Sequence, residues 1–168
     1  MEFSNIDILE LPDISKVSFK GIDKDYLNVL ILITSAFFFL AFLSLLVVDF
    51  YVPKVASYEY KVHLYIAIIL GYVFVLTWVF VGFSKRKYAI REKDVAYKSG
   101  VLIKTVTTVP FSRIQHVEIN ESPISRLFKL SSLNVFTAGD SSNDLVIKGL
   151  KKNKALKIKE FINQQINE

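Results

Sequence analysis

The chain has no cysteine among its 168 residues, so disulfides, thiolate catalysis and Cys-based metal sites are excluded. Histidine is scarce too: only His63 and His116 occur, and the charge pattern below puts them on opposite sides of a membrane, where they cannot share a metal or a proton relay. No G-x-S-x-G, P-loop or zinc-ligand spacing is present, which argues against an enzyme. Charge is missing from two long stretches, residues 27–48 and 64–83, which contain no Asp, Glu, Lys, Arg or His. At ~1.5 Å per helical residue each run reaches roughly 30 Å, the hydrocarbon thickness of a bilayer, so each reads as one membrane span. Two buried helices of that length in a soluble domain would need far more partner surface than this chain supplies. Ion-coupled transporters and pumps place ionisable groups at membrane depth, so transport by this chain alone is not expected.

The first span is preceded by a polar stretch of 26 residues and is followed by no small-x-small cleavage pattern, which identifies a retained anchor and not a signal peptide. Within the spans, Thr34, Ser35 and Ser44 are expected to bond back to their own helix carbonyls. Ala67 with Gly71 makes one small-xxx-small pair, a spacing that chance supplies readily in an apolar helix. The formal charge of +5 is unevenly spread: residues 1–26 carry three lysines against six acids, residues 49–63 balance, and residues 84–168 sum to +8. Lys85, Arg86, Lys87, Arg91 and Lys93 follow the second span directly and outweigh Lys54 and Lys61 between the spans. Basic flanks stay on the cytoplasmic side, so both termini are expected there and the segment 49–63 outside. The domain plan is therefore an N-terminal cytoplasmic segment 1–26, a hairpin 27–83 and a cytoplasmic domain 84–168.

After the basic cluster the apolar period falls to two. Tyr88 and Ile90, Val95 and Tyr97, then Val101 and Ile103 alternate with polar residues as half-buried strands do, and Ser99-Gly100 marks a tight turn. The third strand runs on through 105–109 and stops at Pro110, which lacks an amide donor. A fourth, 114–120, is expected to place Gln115, Val117 and Ile119 on one face and His116 and Glu118 on the other. Pro123 opens a short helical turn, strands follow around 133–137 and 145–148, and residues 138–143 have a turn composition. Ala155, Ile158, Phe161, Ile162 and Ile166 then recur at helical spacing, with Lys154, Lys157, Lys159 and Glu160 on the wet side. The fold expected is a two-helix transmembrane hairpin followed by a mainly β domain of six strands, a bent sheet or barrel capped by a C-terminal helix.

Tyr88-Ala89-Ile90, Gly100, Val109-Pro110, Arg113-Ile114-Gln115, Pro123 with Arg126-Leu127-Phe128-Lys129-Leu130, the segment 133–139 and Gly149-Leu150 follow one another in order behind two spans. That succession resembles the bacterial pleckstrin-homology-like domain of small two-span membrane proteins. The resemblance covers residues 64–168 and implies a pleckstrin-homology-like sheet of about seven strands capped by a helix, in a bacterial cytoplasmic membrane. It carries over Arg113, Gln115 and Arg126 as signature positions, without catalytic roles. Lys129 stands where the family often has Gly, so a left-handed backbone there would be uncomfortable.

Apparent chemistry elsewhere has plainer readings. Ser84–Lys87 spells S-x-x-K, but Lys85 and Arg86 beside it mark a stop-transfer cluster. Asp140, Ser142 and Asp144 open like a calcium loop, yet Leu145 and Lys151 occupy the positions that need Gly and Glu. Asn120-Glu121-Ser122 is a glycosylation sequon on the cytoplasmic side. Arg113 is expected to pair with Glu118 or Glu121. Tyr88, Tyr97, Phe128 and Phe136 fall at core spacing, which leaves no stacking platform for nucleic acid. The function expected is a non-catalytic, membrane-anchored docking or assembly module. Its partner would be another membrane protein, which the resemblance implies carries related domains, or a second copy of this chain. Direct binding of anionic lipid is the alternative, with Lys85, Arg86 and Lys87 at the membrane surface, although their role in setting topology already explains them. No cofactor, metal or catalytic residue is expected.

Overall fold

The computed structural model describes residues 17–51, 58–138 and 145–167. The apolar runs form helices α1 (Asp25–Tyr51) and α2 (Tyr58–Lys85), 27 and 28 residues long and apolar enough to cross a membrane. At ~1.5 Å per residue each is about 40 Å long, enough for the hydrocarbon layer and part of the headgroup region. Their outward surfaces are apolar all round: Leu32, Phe37 and Phe39 on α1, and Ile66, Leu70 and Phe74 on α2, are exposed. The two helices pack antiparallel. The Phe38 ring sits 3.5 Å from where a Cβ would stand on Gly71, and its centroid lies 5.3 Å from that of Tyr72. Gly71 of the small-residue pair thus receives an aromatic edge from the facing helix. Ser44 donates to the Ala41 carbonyl at 2.7 Å, as expected for a hydroxyl inside a helix, but Ser35 shares a 2.8 Å hydrogen bond with the Tyr72 hydroxyl across the helix pair.

Four strands, β1 (Lys20–Gly21), β2 (Lys87–Ile90), β3 (Asp94–Ser99) and β4 (Thr105–Pro110), form one antiparallel sheet in that order. A second antiparallel sheet contains β5 (Ile114–Asn120), β6 (Leu130–Thr137) and β7 (Leu145–Lys151). No barrel closes. Between β5 and β6 lies the short helix α3 (Pro123–Leu127), capped by the Ser122 hydroxyl, which accepts the Ser125 amide at 3.2 Å. Helix α4 (Lys152–Asn167) covers the second sheet with Ala155, Ile158 and Ile162. The six strands expected behind the second span are all present, and the strand that brings the described total to seven is β1, ahead of both membrane helices.

Three local expectations are corrected. Residues 101–103 are not the start of β4 but a loop: Gly100 holds φ +104°, the chain folds back over it, and Leu102 and Ile103 are each 81% exposed. In β5 a bulge between Ile114 and His116 turns Gln115 outward, so that Ile114 and Val117 are buried while Gln115 and His116 both face solvent. Phe161 is 37% exposed and meets Phe111 edge-on at 6.0 Å, leaving Ile162, fully buried, as the main anchor of α4. The discomfort expected at Lys129 is real: it is the only non-glycine residue with positive φ among the described ones, at 54°.

The core belongs to more than the chain behind the second span. Tyr88, Leu130, Leu133, Ile147, Leu150 and Ile162 pack in one cluster with Ile22, Tyr26 and Val29 from the root of α1. Val29, formally inside the first apolar run, is 1% exposed, because the β domain covers it.

Candidate functional site

The joint between domain and hairpin is built from short-range contacts. The Asp23 amide donates to the Gly149 carbonyl at 2.9 Å, and Lys151 pairs with Asp25 and, at 3.8 Å, with Asp23. Chiefly through its hydrogen bond to Asp25, the Lys151 ammonium is held above its ordinary value, so the pair is intact at neutral pH. The Arg86 guanidinium lies 5.8 Å from the Tyr26 ring centroid. Burial raises the Tyr97 phenol above its ordinary value despite the opposing charge of Arg86, so it remains a hydrogen-bond donor.

A cleft of about 300 Å³ opens between β2 and α4. Its floor is Tyr88, Ile158 and Phe161, and its rim carries Lys20, Lys154 and Lys157. The Lys154 ammonium sits 5.2 Å from the Tyr88 ring centroid, and the buried Tyr88 hydroxyl has no hydrogen-bond partner among the described residues. None of the three lysines forms an ion pair with a carboxylate among the described residues, whereas Lys151 and Lys152, just before Lys154 on the chain, both do. Three lysines over an apolar floor, with no carboxylate partner among the described residues, suit an acidic ligand with an apolar component. Lys154 and Lys157 share a helix face by their spacing, a signal readable from sequence. Lys20 joins them only because β1 pairs with β2, placing Lys20 opposite Tyr88.

The signature positions lie apart from this cleft. Arg113 ends the 3-10 turn Phe111–Arg113 before β5, exposed, and its carbonyl accepts the Ala138 amide at 3.0 Å. The expected carboxylate partners of Arg113 are engaged elsewhere: Glu121 meets Lys152 at 2.9 Å and Arg126 at 3.8 Å, and Glu118 lies 3.6 Å from His116. Gln115 is exposed, and Arg126 is held loosely on α3. Of the basic cluster, Lys85 ends α2, Lys87 begins β2, and Arg86 turns inward to Tyr26. No group of three or more metal-ligating side chains occurs among the described residues. The calcium-like run 140–144 lies outside them.

A hairpin of apolar helices rooted in two antiparallel sheets and capped by α4 is the arrangement the sequence resemblance implied, and the model of the bacterial PH domain matches residues 27–166. The chain belongs to the bacterial PH domain family. Within that family setting it is similar to the UPF0699 transmembrane protein YdbS of Bacillus subtilis (strain 168), 28% identical over 91 residues that cover 50% of this chain and 57% of the relative. The chain thus matches little more than half the length of that curated protein. No solved structure matches it. The family, the transmembrane relative and helices α1 and α2 together make this an integral membrane protein with a PH-like domain.

Proposed function

We propose that the chain is a non-catalytic docking module of the bacterial cytoplasmic membrane, with both termini on the cytoplasmic side, and that the β2–α4 cleft receives an acidic, partly apolar segment of a second membrane protein. The observation that carries this reading is the triad Lys20, Lys154 and Lys157, without a carboxylate partner among the described residues, around the floor of Tyr88, Ile158 and Phe161. Held by a membrane hairpin, the cleft meets in-plane partners at high effective concentration, so a modest interface suffices for a stable complex. The excess of basic residues behind the second helix supports the orientation. The family match and the transmembrane relative agree with a binding role and specify no ligand.

Affinity purification of the full chain in mild detergent tests this. A partner membrane protein is expected at fixed ratio, and the pair Lys154→Glu and Lys157→Glu, both exposed, should release it while Lys104→Glu, outside the cleft, retains it. Retention of the same partner by the charge-reversed cleft would refute the assignment.

A further inference from the structure

A second, larger cleft of about 640 Å³ lies on the hairpin side of the domain, where α1, α2, β3 and β7 meet. Its two ends differ in chemistry. Arg86, Lys148 and Tyr97 line one end, and Leu30, Trp78 and Val79 line the other. Neither Arg86 nor Lys148 forms an ion pair with a carboxylate among the described residues. Trp78 precedes Arg86 by eight residues on the α2 side, about 12 Å along a helix, which reaches from the headgroup layer into the upper hydrocarbon.

The adjoining loop shows which medium the cleft faces. Val101 rests 3.6 Å from the Cβ position of Gly82 on α2, and beside it Leu102 and Ile103 are each 81% exposed. An apolar pair of that exposure against the end of a membrane helix is favourable only where hydrocarbon covers it. Lys85, Lys87, Lys98 and Lys104 surround the base of the same loop, a collar of cations at the level of lipid phosphates.

We propose that this junction cleft binds one anionic phospholipid of the surrounding leaflet, with its phosphate against Arg86 and Lys148 and the beginning of its chains along Leu30, Trp78 and Val79. A free phosphate would satisfy the two cations but leave the apolar end uncovered, so the ligand carries both parts. The site is separate from the docking cleft, and its test does not depend on a protein partner.

Trp78 is the chain's single tryptophan, so its fluorescence reports this cleft alone. The full chain is placed in vesicles of phosphatidylcholine and phosphatidylglycerol, with bromine on the acyl chains of one lipid or the other. Brominated phosphatidylglycerol should quench Trp78 more than brominated phosphatidylcholine at equal mole fraction, corresponding to a preference of about fivefold. Arg86→Gln should bring that preference toward one. So should Lys148→Gln, which changes an exposed strand residue and leaves the fold intact, whereas Lys93→Gln, outside the cleft, should keep it. Equal quenching by the two lipids in the unaltered protein overturns the proposal. So does a preference that survives both cleft substitutions, or one abolished by inorganic phosphate at matched ionic strength, which would make free phosphate the ligand.

Discussion

The ring of Tyr26 occupies the place where a side chain at residue 149 would begin: a Cβ built on Gly149 would stand 2.5 Å from Tyr26 Cγ. Gly149 also holds φ +79°, a conformation costly for any residue with a Cβ. The root of the first membrane helix and the last strand of the domain therefore share one contact that only glycine allows. Through it the orientation of the helix is passed to the whole β domain.

Gly149→Ala should accordingly cost about 3 kcal/mol or more, since strain and overlap add. Thermal unfolding of the detergent-solubilised protein would show it, and pairing the change with Tyr26→Ala should recover the part due to overlap while the part due to φ persists.

Lys129→Gly should act in the opposite direction. Lys129 is exposed at φ 54°, so the substitution removes strain without loss of packing and should raise stability by about 1 kcal/mol. A lower melting temperature for that variant would show that the lysine side chain contributes more than its backbone costs.

On α4, Ile162→Ala should destabilise by about 2–5 kcal/mol, because Ile162 is fully buried. Phe161→Ala should cost less, since that ring is 37% exposed where Ile162 is fully buried. Denaturant titration of both variants orders them.

The sequence carried the periodic elements and concealed the joints. Alternation over 88–97 and the i, i+3, i+7 spacing on α4 are local signals, and both elements appear where they were expected. Lys129 was legible as a strained turn through the family resemblance, in which Gly often stands at that position. The bulge that exposes Gln115 reverses a face by one residue, and strict alternation cannot signal such a step. Val101–Ile103 looked like strand because an apolar run has the same composition whether sheet or lipid covers it. Lys20 and Val29 reach their roles through contacts with residues far along the chain, which no local pattern encodes. The cleft rim was therefore only partly readable, from Lys154 and Lys157.

The absence of native cysteine makes the orientation directly testable. Single cysteines replacing Ser57 and Ser141 should differ in intact cells, with an impermeant thiol reagent labelling only the former. Labelling of the Ser141 replacement alone would invert the orientation.

Hydrogen exchange on the full chain tests most directly whether domain and hairpin are one body. In Tyr26→Ala the amides of β7, residues 145–151, should lose protection together with those of β2, because the ring that seals Gly149 belongs to their common core. Unchanged protection in both strands would contradict the account, showing a domain that folds without the root of the membrane helix.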